Sequence, residues 1–312
     1  MTIHAHLDTF HGLPVRWVGL DPATSSAAPD TVAWRVQAAD YDEEEPTLQQ
    51  NFEELLDRVD PTRIRAIVIG WWGPGWEGKR GDIPVGMLAG AADRLPALEA
   101  IFLGDILAEE SEISWIEQDD ITPLLDTYPR LRRLEVRGGT GLRLGPVTHS
   151  ALEVLRFETG GLPASVVRAV GESSFPALRH LELWLGSENY SGDSRPTDWT
   201  GILDGSGLPA LRHLGLQDSE IQDEVCAAVA AAPVVARLES LDLSMGVLTD
   251  TGAEALLSGQ PLTHLTSLDL SHNYLSEPMA ERLRAALPGV ELDLSDRQRA
   301  RGNDWRYVAV SE

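Results

Sequence analysis

The chain of 312 residues is predicted to be an α/β solenoid, a stack of strand-and-helix units held between two non-repeating ends. Three observations predict it. An apolar pattern, L-x-x-L-x-L, recurs from Ile64 to Leu294. Its copies start 34, 33, 21, 26, 33, 27, 27 and 24 residues apart, a narrow spread with three overlong turns that must carry insertions. Stretches of helical periodicity lie between the copies. A strand, loop and helix that return to the next parallel strand can bury their apolar faces only against neighbouring units, so the units must stack.

The clearest copies are Leu178, Leu181 and Leu183; Leu211, Leu214 and Leu216; Leu238, Leu241 and Leu243; and Leu265, Leu268 and Leu270. Relaxing the apolar class adds Ile64, Ile67 and Ile69; Leu98, Ile101 and Leu103; Leu131, Leu134 and Val136; and Leu152, Leu155 and Phe157. A degenerate last copy is centred on Leu292 and Leu294, which makes nine turns. The two-residue period of each copy predicts a strand with one face in the core. Helices are predicted at Asp250 to Leu257 and Glu277 to Leu287, where Met279, Leu283, Ala286 and Leu287 fall on one face.

Residues 1–60 do not repeat. Val32, Trp34 and Val36 alternate as a strand, the run YDEEEPT from Tyr41 breaks it, and Leu48, Phe52, Leu55, Leu56 and Val59 mark a helix before Asp60 and Pro61. The first turn of a solenoid needs its apolar end covered, so this segment is expected to be an α/β cap. Residues 61–296 are assigned to the solenoid and 297–312 to a tail or second cap, in which Tyr307 to Val310 is expected to add a strand over the last turn.

These units resemble leucine-rich repeats, and units near 26 residues with long helices are similar to the ribonuclease-inhibitor type. Asn273, in the segment LDLSHNYL, alone matches that type's asparagine position. The Trp-rich first turn at Trp71, the EISWI segment at Glu112 and the RYVAVSE ending at Arg306 also resemble an uncharacterised family of bacterial leucine-rich-repeat proteins, over nearly the whole chain. The resemblance implies a curved horseshoe with parallel strands on the concave face and helices outside. It implies no activity, because a fold does not fix the chemistry placed on it.

No stretch approaches the ~18–20 apolar residues of a bilayer span, and the start MTIHAHLDTF has no cationic then apolar signal pattern, so a cytoplasmic protein is expected. Cys226, the sole cysteine, lies in the apolar run VCAAVAAA and reads as a buried thiol. A net charge of -24 disfavours nucleic acid and anionic membranes, and it favours a basic protein or peptide as partner while also serving solubility.

Strand alternation lets the concave face be read directly. Its middle row runs Val68, Phe102, Glu135, Arg156, Glu182, Gly215, Asp242, Asp269 and Asp293, with neighbours about 5 Å apart. Glu135, Arg156 and Glu182 alternate in sign and can pair, each exposed pair worth about 0.2–1 kcal/mol. Asp242, Asp269 and Asp293 instead set like charges side by side, which a cationic partner would screen. His180 and His213 hold equivalent places in successive turns, with Glu182 beside them and Trp184 beyond. Such a group can hold a divalent metal or titrate near neutral pH, but the reading adopted is a partner-facing or merely solvated pair with no metal and no cofactor. His4 and His6 also share one face if the chain there is extended, and they are not read as a metal site.

The overlong turns hold the aromatics: Trp71, Trp72 and Trp76 in the first, Trp115 in the second, Tyr190 and Trp199 in the fifth. Aromatics on loops over a rigid scaffold are common anchors, so Trp71, Trp76, Trp115, Tyr190 and Trp199 are expected to form a binding rim.

Catalytic signatures fail. The segment GPGWEGKR from Gly73 nearly matches a phosphate-binding loop, but Arg80 replaces the hydroxyl that would ligate magnesium. GGTGLRLG from Gly138 lacks dinucleotide-loop spacing, and no G-x-S-x-G or H-E-x-x-H occurs. The sequence reads as a non-catalytic scaffold that binds an unknown protein or peptide. Two other readings stay open: a substrate-presenting subunit or metal-dependent enzyme using His180 and His213, and a purely structural scaffold.

Overall fold

The fold is that of a computed structural model, which describes residues 2–18, 27–39, 46–73, 78–302 and 304–312. The break expected at Tyr41 lies largely outside the described residues. Among the described residues twelve strands form one sheet in chain order: β1 Thr9–Phe10, β2 Leu13–Trp17, β3 Ala33–Val36, β4 Ala66–Ile69, β5 Ala100–Leu103, β6 Arg133–Arg137, β7 Val154–Glu158, β8 His180–Gly186, β9 His213–Ser219, β10 Ser240–Asp242, β11 Ser267–Asp269 and β12 Glu291–Asp293. β1 and β2 pair antiparallel, and every later neighbour pair is parallel.

Helices fill the crossovers: α1 Leu48–Arg58, α2 Asp82–Gly90, α3 Thr122–Thr127, α4 Ala164–Glu172, α5 Thr200–Asp204, α6 Gln222–Ala230, α7 Asp250–Ser258 and α8 Glu277–Ala286. Their starts are set locally. Thr47 accepts from the Gln50 backbone N–H at 3.2 Å while Gln50 Oε1 accepts from the Thr47 N–H at 2.8 Å, a reciprocal cap that starts α1. Ser276 accepts from the Met279 N–H, with Pro278 in the first turn of α8, where its missing donor is harmless.

The register puts Leu134, Leu155, Leu181, Leu214, Leu241 and Leu268 directly beside one another, all buried against the helix layer. Helix packing closes to backbone contact between α4 and α5, where a Cβ on Gly201 would meet the Gly171 carbonyl oxygen at 2.5 Å. Asn273, at 1% exposure, donates to the Leu270 carbonyl at 2.8 Å and accepts from the Leu275 N–H, which ties the turn after β11 to its own strand. Cys226 is buried, and burial pushes its thiol up.

The opposite, open face of the sheet has its own small apolar core. Phe10, Val15, Ala33, Ala66, Val68, Ala100 and Phe102 cluster there, with Leu7, Leu13 and Trp17 packed around them. The β1–β2 hairpin supplies part of that cover, turning at His11 (φ 51°) and Gly12 (φ 73°). Sequence alternation predicts β3 but not this hairpin.

At the other end the tail departs from expectation. Tyr307 to Val310 is not a strand over the last unit. Its backbone donors go elsewhere: Tyr307 to the Tyr274 hydroxyl at 3.0 Å, Ala309 to the Met245 carbonyl at 2.8 Å and Val310 to Asp218 Oδ1 at 2.9 Å. The tail therefore runs back over the turns after β11 and β10 to the end of β9. It buries Val308 and Val310, and it seats Ser311 against Gly160, where a Cβ would meet the Ser311 carbonyl oxygen at 2.4 Å. Among the described residues no helix is long and apolar enough to cross a membrane.

Candidate binding site on the open sheet face

Parallel pairing aligns one continuous row across the open face: Trp17, Arg35, Val68, Phe102, Glu135, Arg156, Glu182, Gly215, Asp242, Asp269 and Asp293. One step toward the strand starts lie Ser240 and the paired His180 and His213; one step toward the strand ends lie Arg137, Glu158, Trp184 and Gln217.

The row divides into three regions. Its first part is closed. Phe102 is 1% exposed under Phe10, ring centroids 6.0 Å apart, so the residue expected to meet a partner is instead core beneath the amino-terminal hairpin.

The middle is a run of alternating charge, all of it paired. Asp105 binds Arg35 and lies 3.7 Å from Arg137, Arg137 binds Glu158 at 2.7 Å, Glu158 binds Arg156 at 2.6 Å, and Arg156 binds Glu182. Glu135, at 3% exposure, is held by Arg133 and sits 3.7 Å from Arg156. Arg35, Asp105, Arg137 and Glu158 are each buried to 1% exposure or less, so each charge depends on its neighbours to offset lost hydration. Burial opposes ionisation of Asp105, yet His6, Arg35 and Arg137 hold its carboxyl below the usual range. His6 thus belongs to this network, 3.5 Å from Asp105, while His4 is exposed.

The third region is built from β8 and β9. The rings of His180 and His213 stack with centroids 4.0 Å apart, and their Nε2 atoms lie 3.5 and 3.9 Å from the Glu182 carboxylate. Burial works against the charged form of Glu182, but His180, Arg156 and His213 bring it down to about 2. Burial and the His180 charge lower His213 to about 4. Three buried atoms here have no hydrogen-bond partner: His213 Nε2, Trp184 Nε1 and Gln217 Oε1. Trp184 is 2% exposed, under the Arg156 guanidinium at 5.6 Å.

Gly215 makes room for this arrangement, since a Cβ there would meet Glu182 Cγ at 2.8 Å. Beyond it Asp242, Asp269 and Asp293 each accept from the backbone N–H two residues on, at Ser244, Ser271 and Ser295. No cationic side chain among the described residues pairs with any of the three. Burial first, and then the Asp269 charge, push Asp242 up to about 7.

The expected aromatic rim is not assembled. Trp71 and Trp72 are buried, and Trp199 is fully buried with its Nε1–H donated to Ser194 Oγ at 3.1 Å, because the long loops fold back onto the core. Tyr190 is half-buried and donates its hydroxyl to Glu312. Trp76 lies outside the described residues. Trp115 is 67% exposed, and Trp305, which sequence reasoning did not single out, is 59% exposed.

Reasoning from sequence also missed Arg35, Asp105, Gln217 and Asp218. Arg35 carried a signal, a charge between Trp34 and Val36 in an otherwise apolar strand. Asp218 is fully buried at φ 57°, and burial raises its carboxyl well above the usual range while it accepts from Val310.

Comparison with known proteins found no matching family model and no similar curated protein. Solved structures do match. One, a protein from Bacteroides fragilis determined in a structural-genomics programme, is 32% identical, with a TM-score of 0.79 over 90% of this chain and 78% of the other.

Proposed function

Since this chain belongs to the same family as the Bacteroides fragilis protein, we propose that both are built as leucine-rich-repeat solenoids, and that this one uses the concave, open sheet face to capture a protein or peptide bearing cationic side chains. The observation that carries the reading is the change along one row. Carboxylates from β6 to β8 are matched by arginines, whereas Asp242, Asp269 and Asp293 have no cation and bring like charges together. Arginine or lysine side chains of a partner would relieve that repulsion.

The strip is rigid because each aspartate is tied to its own turn, so little side-chain order has to be imposed on binding. A non-catalytic role is preferred, in which Ser240 Oγ, 2.7 Å from His213 Nδ1, orients the imidazole and does not act as a nucleophile. Fluorescence anisotropy with a panel of arginine- and lysine-containing peptides tests the reading. Binding should weaken as salt rises, and a variant with all three aspartates changed to asparagine should lose most of the affinity and the salt dependence. Equal binding by the variant would remove the acidic strip from the account.

A further inference from the structure

We propose that His180, Glu182 and His213 form a site for one divalent transition-metal cation of the zinc, cobalt or nickel type. The proposal goes beyond the partner reading and does not depend on it. Two imidazoles and one carboxylate are a donor set suited to these borderline metals, and to calcium or magnesium poorly. Among the described residues this is a group of three potential ligands with donor atoms all within 4.8 Å of one another. The two Nε2 atoms stand 3.5 and 3.9 Å from the carboxylate oxygens. Ligands of a tetrahedral zinc, bound at about 2.0–2.1 Å, lie ~3.3 Å apart, so closure draws His213 Nε2 and the Glu182 carboxylate about 0.6 Å closer and turns the two stacked imidazole planes toward each other until both lone pairs meet at one point.

The surroundings supply what such ligands need. His213 Nδ1 is 2.7 Å from Ser240 Oγ. A hydroxyl that accepts from Nδ1–H fixes the tautomer in which Nε2 keeps its lone pair, the form a metal requires. That Nε2 is buried without a hydrogen-bond partner. Arg156 engages Glu182 Oε2, which leaves Oε1 toward His213. The guanidinium charge is itself offset by Glu158 at 2.6 Å and Glu135 at 3.7 Å, so it opposes a nearby cation only weakly. Gly215 clears the space into which Glu182 leans. His180, with its side chain 36% exposed, opens the group to solvent, so water or a partner's donor can complete the coordination.

Isothermal titration of the full chain with Zn²⁺, and absorption spectroscopy with Co²⁺, read the site. One ion per chain is expected, with affinity reduced at least about 10-fold in His180→Ala, His213→Ala and Glu182→Gln, each checked for native circular dichroism. Because a variant can fail to fold, the wild-type protein titrated with Co²⁺ gives a second reading by proton NMR. Paramagnetically shifted ring protons should belong to His180 and His213. Shifts confined to His4, His6, His11, His149, His264 or His272, binding unchanged in folded variants, or no uptake of Zn²⁺ at millimolar concentration would each overturn the proposal.

Discussion

His180 and His213 stack ring on ring, planes within 9°, because they hold the same register position in two adjacent parallel strands. The same rule of period two places Glu182 beside them and Trp184 and Gln217 beyond, so a patch built from β8 and β9 follows from register alone. What register does not settle is which charges on that face are already paired.

Asp105 is the keystone of the paired region. Asp105→Ala removes the carboxylate that Arg35 binds, and that also faces Arg137, in the buried network, and should destabilise by about 3–5 kcal/mol, measured by urea unfolding. Asp105→Asn keeps an acceptor and should lose less. A loss under about 1 kcal/mol for the alanine variant would mean that Glu158 and backbone carbonyls suffice for both guanidinium groups.

Gly215→Ala tests the steric origin of the patch. The new methyl meets Glu182 Cγ at 2.8 Å and Gln217 Oε1 at 3.2 Å, so an overpacking loss of about 1–3 kcal/mol is expected, with shifted His180 and His213 ring signals in NMR spectra. Unmoved ring signals would show that Glu182 does not need the space.

Asp242 gives the protein a stability dependence on pH. Its carboxyl rises from 3.8 to about 7 on folding, through burial first and then the charges of Asp269 and Glu182. Between those values the folded state binds more protons than the unfolded one, so this group's contribution falls as pH rises through the window and levels off above it. Asp242→Asn removes that loss. Thermal melts should show the variant gaining on the wild type from about pH 4 to pH 7, by ~1–2 kcal/mol after screening, and running parallel above. A constant difference at all pH values would contradict the raised carboxyl.

The tryptophans should separate by burial. Trp199→Ala removes a fully buried ring and is expected to cost about 3–5 kcal/mol, while Trp115→Ala should stay within about 0.5 kcal/mol. Calorimetry of both variants checks this, and a large loss at Trp115 would place it in the core.

Much of the sheet was legible because leucine spacing fixes both strand position and face. Leu134 through Leu268 align as the pattern requires, and the row from Val68 to Asp293 falls in order. Contacts distant in sequence were not legible. Phe10 on Phe102, Val310 on Asp218 and Arg35 on Asp105 join residues with no shared periodicity, and only the folded chain brings them together. Loop tryptophans were misread for a related reason. Trp71 and Trp199 look like anchors in an insertion, yet a ring of that size is stabilised by turning inward when the scaffold offers apolar surface beneath.

The most direct test of the proposed recognition by the acidic strip is to locate a bound ligand on it. An arginine-rich peptide carrying a photo-crosslinker, bound to the full chain and mapped by mass spectrometry, should give adducts on the open-face residues of β9 to β12 around Asp242, Asp269 and Asp293. Adducts on α6 to α8, or on the loop at Trp115, would contradict the assignment of binding to that face.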